Sequence, residues 1–156
     1  MMSHTGRWLI LITLLASASG AQERAQNPPF VLPDSVQMLP DLRYSSSATE
    51  ALGLDLFLPR QGGGPFPAVL FVACSGWNGG VKAQFWRQSA HLAERQFVAA
   101  TTQCRPARTA PFPEQLNDVL EAVRWLRRHA LEHRVDAQRI AVAGGSAGGG
   151  DPHLLS

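Results

Sequence analysis

The sequence predicts one α/β domain built around a parallel sheet, and three observations predict it. Short runs bounded by turn residues recur at Ala68 to Val72, Phe97 to Ala100 and Arg139 to Ala143, as expected of strands buried on both faces of a parallel sheet. Segments of helical period lie between them. The last run leads straight into a glycine-rich turn, Gly144-Gly145-Ser146-Ala147-Gly148. With 156 residues there is room for about one domain. A composition 45% hydrophobic and 17% charged can bury a core, which excludes a disordered or low-complexity chain. The formal charge is only +2, thirteen of the fourteen cationic residues are arginine, and no block of like charge appears. Nucleic acid is therefore not an expected partner.

Taken in order, Met1 to Ala21 read as a secretory signal: Arg7, an apolar run from Trp8 to Ala16, then small residues. The run is too short to span a bilayer, so no membrane anchor is expected, and the signal pattern leads us to expect a secreted or periplasmic mature protein. Gln22 to Pro40 is polar, carries four prolines and has no period, which suits a linker or an arm. The domain is expected over residues 41–156. Leu52, Leu54, Leu56 and Leu58 alternate with other residues, the pattern of a strand with one buried face. Pro59 to Pro67 breaks the chain, and the run Ala68 to Val72 follows. Val81 to Gln96 places Phe85, Ser89, Leu92 and Ala93 on one helical face, before the strand at Phe97. The clearest helix is predicted from Pro113 to about His133, with an apolar stripe of Leu116, Val119, Leu120, Val123, Leu126 and Ala130. Its acidic residues come early and its arginines late, as the macrodipole prefers. Asp136 is expected in a turn before the last strand.

That strand and the turn after it carry the chemistry. Gly144 to Gly148 match G-x-S-x-G at the junction of strand and helix, where a nucleophile elbow belongs. A serine at the tip of so sharp a turn needs neighbours two residues away without bulky side chains, and Gly144 and Gly148 meet that need. The amide of Ala147 then faces the serine and is positioned to stabilise an oxyanion.

Four stretches, GPFPAVLFV (Gly64 to Val72) with ACSGW after it, APFPEQLNDVLEAVRWLRRH (Ala110 to His129) and DAQRIAVAGGSAGG (Asp136 to Gly149), resemble the α/β-hydrolase superfamily. The likeness is to the esterase and lipase branch that includes hormone-sensitive-lipase-like proteins and bifunctional acetylxylan and feruloyl esterase-like domains. It covers about Asp41 to Gly149. The resemblance implies an α/β-hydrolase fold, a mostly parallel sheet with flanking helices, Ser146 as nucleophile, and a small ester or acylated polysaccharide as substrate. By position it assigns Ser75 and Gly76 as further oxyanion donors. No cofactor is implied. It also places Cys74 and Cys104 after neighbouring strands, about 4.8 Å apart, so a disulfide between them is expected in an oxidising compartment.

The departures are as specific as the matches. Where the family has H-G-G-G-W, this chain has Ala73, Cys74, Ser75, Gly76 and Trp77. In this superfamily the acid and histidine follow the nucleophile, yet only ten residues follow Ser146. The domain is thus expected to be truncated after the elbow, to leave one side of the last strand unpaired, and to lack a working triad. Asp151 and His153 lie too close to Ser146 along the chain to form the usual relay, and His91 and His129 fall within predicted helices. The alternatives are a non-catalytic relic or carbohydrate-binding remnant and, more remotely, a zinc peptidase using the H-x-x-E-H of His129 and His133. For that pair a solvated helix end is the competing expectation. Trp77, Trp86 and Trp125 are expected to serve packing.

Overall fold

The computed structural model describes residues 29–45, 52–76 and 78–149. The expected signal, the first seven residues of the expected arm, Trp77, Asp151 and His153 lie outside them. One unit, Met1–Val31, contributes only residues 29–31; the rest belong to the unit Leu32–Ser156.

In that unit β1 (Val36–Arg43), β2 (Gly53–Pro59), β3 (Phe66–Ala73), β4 (Val98–Gln103) and β5 (Val135–Gly144) form one sheet in the order β1-β2-β4-β3-β5. β3 runs parallel to β4 and to β5, as expected. β2 is antiparallel to both of its neighbours, β1 and β4, so the sheet is mixed.

β1 occupies residues that read as an arm up to Pro40. It is an edge strand, where a proline is tolerated because no neighbour needs its N–H. Its register shifts between Leu39 and Leu42, and Asp41 there takes φ 55°. The bulge hides the alternation that would have marked a strand.

β2 differs from the half-buried strand expected of it. Set between β1 and β4, it buries Leu54, Leu56, Phe57 and Leu58, and Asp55 as well. β5 differs in the opposite direction: among the described residues it pairs only with β3, Ala141 is exposed, and Ile140, Val142 and Ala143 are half-buried. The turn expected at Asp136 is a detour inside this strand. Phe66 faces Val135 and Ala68 faces Ile140, so Asp136 to Arg139 bulge out opposite Pro67. The Asp136 carboxylate accepts the Arg139 guanidinium and the Gln138 amide, and these bonds hold its pKa below the usual carboxylate value.

α1 (Trp86–Ala93) follows a 3₁₀ turn at Lys82–Phe85, so the helix expected from Val81 to Gln96 is shorter at both ends. α2 (Glu114–Arg128) ends five residues before the expected His133, with His129 as its cap. Its deepest residues are Gln115, Asp118, Ala122, Trp125 and Leu126, while Leu116, Val119, Leu120 and Val123 are half-buried. The buried face is rotated because two polar residues on it have partners. Asp118 takes the Arg105 guanidinium with both oxygens at 2.7 Å, and the Gln115 amide donates to the Arg105 carbonyl at 2.7 Å.

Alternation along the strands divides the sheet into two faces. Leu54, Leu56, Leu58, Ala68, Leu70, Val98 and Ala100 pack with Ala122, Trp125 and Leu126 of α2. From the opposite face Phe71 stacks on Phe85 at 5.1 Å and Asp55 meets the Trp86 indole. Tyr44, the only tyrosine, closes the first core: its buried hydroxyl accepts the Thr102 hydroxyl proton at 3.1 Å.

Burial pushes the Tyr44 pKa up to about 12, against a smaller opposing effect of the Thr102 bond. The folded value exceeds the unfolded one, so the stabilisation is complete below about pH 10 and is lost as pH rises towards 12. Titration of tyrosinate absorbance is expected to show half-ionisation near pH 12 in the folded chain and near 10 in denaturant. A folded midpoint near 10 would contradict the burial of this hydroxyl.

Candidate active site

Parallel strands end at one edge of a sheet, and here β3 and β5 end side by side with Val72 opposite Gly144. Beyond Gly144 the chain turns through Gly145 into a 3₁₀ turn, Ser146–Gly149, closed by the Gly148 amide donating to the Gly145 carbonyl at 3.0 Å. Ser146 sits at the tip, exposed, with φ 55°. A non-glycine residue in this left-handed region costs on the order of 1–3 kcal/mol and persists only where its surroundings dictate it. The strain lies on the one serine that the motif singles out.

The flanking glycines play different parts. A methyl group on Gly148 would overlap the Val72 carbonyl and press on the Cys74 amide, both backbone atoms of the neighbouring strand end. Gly144 is the last residue of β5 and pairs with Val72. At Gly145 a methyl would make an ordinary contact with the Phe85 ring at 3.8 Å. Gly148→Ala is therefore expected to destabilise the fold by about 1–3 kcal/mol, the usual cost of overpacking. Gly145→Ala is expected to change it by less than about 0.5 kcal/mol. Urea unfolding of both variants checks this, and equal effects would contradict the geometry.

Because Gly148 touches the end of β3, the elbow lies against the loop that leaves β3. That loop folds back on itself. The Ser75 amide donates to the Gly79 carbonyl at 2.9 Å and the Asn78 amide to the Ser75 carbonyl at 3.0 Å. Gly76 takes φ 54°, and Gly80 crosses so close over the Ala73 carbonyl that no side chain would fit. Of the two donors that the resemblance assigned to this loop, Ser75 has its amide engaged with Gly79 and can serve an oxyanion only by leaving that bond. Ala147 packs against the buried cluster of Val72, Cys74 and Cys104. The two cysteines form the expected disulfide, with Cα atoms 5.4 Å apart.

The described histidines do not gather at this edge in the bonding pattern of a triad. His91 is exposed on α1, its Nδ1 3.0 Å from the Arg95 guanidinium. His129 Nδ1 is 2.9 Å from the Trp125 carbonyl. His133 is buried, its ring 5.4 Å from that of Trp125, and burial holds its pKa below the usual histidine value. The solvated helix end expected for this pair is thus corrected: α2 stops before it, and Trp125, His129 and His133 form a stack. The His133 amide still donates to the His129 carbonyl at 3.1 Å, one turn apart, but among the described residues no three His, Cys, Asp or Glu side chains are grouped to hold a metal.

One cluster escaped the sequence reading. Asp55 accepts Lys82 Nζ at 2.6 Å, the Asp41 amide at 3.0 Å and the Trp86 indole at 2.8 Å, and Lys82 also pairs with Asp41. Burial disfavours the Lys82 charge, but the hydrogen bonds to Asp41 and Asp55 prevail and hold its pKa above the usual lysine value. The signal was an aspartate inside a leucine run together with the only lysine of the chain.

Comparison with known proteins agrees with this architecture. The BD-FAE family model matches residues 54–155. Carboxylesterase NlhH of Mycobacterium tuberculosis (strain CDC 1551 / Oshkosh) is 31% identical over 119 residues, covering 72% of this chain and 37% of that protein. The thermophilic esterase Est2 of Thermogutta terrifontis superposes with a TM-score of 0.64 at 30% identity, covering 78% of this chain and 42% of that one. Esterase B of Lactobacillus rhamnosis, at 21% identity and a TM-score of 0.68, shares the fold over 88% of this chain and 43% of its own. The chain thus spans less than half the length of each. With the match running from β2 through the elbow, the chain belongs to the BD-FAE family and has the α/β-hydrolase fold of its esterase relatives.

Proposed function

We propose that this chain supplies the nucleophile and the oxyanion donors of a serine carboxylic-ester hydrolase. The observation that carries the reading is Ser146 at the tip of the elbow with φ 55°, between β5 and a 3₁₀ turn. Ser146 Oγ attacks the ester carbonyl carbon, the amides of Ala147 and Gly76 receive the oxyanion, and the tetrahedral intermediate expels the alcohol to leave an acyl-serine that water then cleaves. A general base must take the serine proton and return it to the leaving alcohol. The contacts of His91, His129 and His133 described above do not reach Ser146, so we assign no base among the described residues and expect little turnover from the 156-residue polypeptide. The substrate we propose is a small acyl ester, acylated polysaccharide included, on the strength of the family. Export is proposed from the Met1 to Ala21 pattern, and a Cys74–Cys104 disulfide suits an oxidising compartment.

A fluorophosphonate probe followed by peptide mapping tests the nucleophile. The expected result is a slow, single adduct on Ser146. An adduct on another serine, or none after prolonged incubation, would reject it. The non-catalytic relic is the second reading, favoured only by the engagement of the described histidines, and the same labelling separates the two.

A further inference from the structure

We infer that the Cys74–Cys104 disulfide is a positioning element for the oxyanion side of the site, holding the Gly76 loop and the Ala147 amide in register; this rests on the reading of Ser146 as nucleophile. Cys74 immediately precedes Ser75 and Gly76, so the bridge fixes the base of that loop to the end of β4. The Cys104 amide adds a second tie, donating to the Ala73 carbonyl at 3.1 Å. Both cysteines are buried with Val72, and Ala147 packs directly against this group, so the two proposed donor segments meet at the bridge.

The far end of the bridge is itself anchored. Arg105, next to Cys104, is held at its guanidinium by Asp118 and at its carbonyl by Gln115, both on α2. Position passes from the helix through Arg105 and the disulfide to the loop. The loop needs such an anchor because Gly76 and Gly79 both take positive φ and its backbone closes on itself through Ser75 and Gly79. Glycines in that region lower the cost of the conformation and leave the backbone free to adopt others.

The test compares the oxidised 156-residue polypeptide with its Cys74→Ala/Cys104→Ala variant, each corrected for folded fraction by circular dichroism. Two readouts are taken: the rate of fluorophosphonate labelling at Ser146 and amide hydrogen exchange. In the variant, labelling is expected to slow about a hundredfold, the effect of a displacement of about 1 Å. Exchange at Gly76 and Ala147 is expected to rise at least about tenfold while Leu56 and Ala100 keep theirs. Reduction of the wild-type chain should reproduce both changes, and reoxidation should reverse them. Labelling within about twofold of wild type, or exchange that rises equally at Leu56 and Ala100, would overturn the inference by making the bridge merely structural. Absence of any Ser146 adduct in the oxidised wild type would instead sink the nucleophile reading, and exchange at Gly76 and Ala147 would still decide the anchoring.

Discussion

The 156-residue polypeptide is expected to hydrolyse p-nitrophenyl acetate no faster than its Ser146→Ala variant. A serine hydroxyl is a weak nucleophile at neutral pH unless a base takes its proton. Removing the histidine from a serine hydrolase lowers turnover about 10⁶-fold, leaving only what binding and the oxyanion donors supply. His129 Nδ1 lies against the Trp125 carbonyl, His133 is buried on the Trp125 ring, and His91 meets Arg95 on an exposed helix face. None of these contacts reaches Ser146. Initial rates of wild type and Ser146→Ala, measured against buffer, check this. Turnover that Ser146→Ala abolishes would contradict it and call for substitution of His91, His129, His133 and His153 one at a time.

Asp55→Ala is expected to cost about 3–5 kcal/mol of stability, the usual cost of removing one partner from a buried ion pair. Only 1% of Asp55 is exposed, and its carboxylate holds Lys82, the Trp86 indole and the Asp41 amide at once. Truncation would leave the Lys82 ammonium with Asp41 alone and would remove the acceptor that Asp55 supplies to the Trp86 indole and the Asp41 amide. Against a typical total of about 5–15 kcal/mol this is a large share. The effect should hold across neutral pH. The Lys82 pKa is raised on folding, so its contribution is complete below its unfolded value, about 10.4, and fades only as pH rises through the higher folded value. Urea unfolding of Asp55→Ala and Asp55→Asn checks the prediction. A loss below about 1 kcal/mol for the alanine variant would contradict it.

Much of the fold was legible because its elements obey local rules. The runs at Ala68 and Phe97 became β3 and β4, and the helix after Pro113 became α2, since apolar period and turn residues report burial directly. The elbow was legible because a strand end, three glycines and one serine fall within five residues. β1 was not legible, since Pro40 and the bulge after Leu39 interrupt its alternation. The face of α2 was misjudged because Gln115 and Asp118 are buried through a partner, Arg105, that lies outside the helix. Asp55 with Lys82 escaped for the same reason: 27 residues separate a pair that only the fold brings together. The engagement of the Ser75 amide depends on the path of a loop that side-chain identities do not determine.

If Ser146 is a formed nucleophile with no base among the described residues, a small-molecule base should rescue it. The rate of phosphonylation at Ser146 would be followed by intact mass as imidazole is added, with Ser146→Ala as the control. Labelling of the wild type is expected to rise in proportion to free-base imidazole, and Ser146→Ala is expected to take up no label. A rate indifferent to imidazole, or equal uptake in the alanine variant, would contradict it.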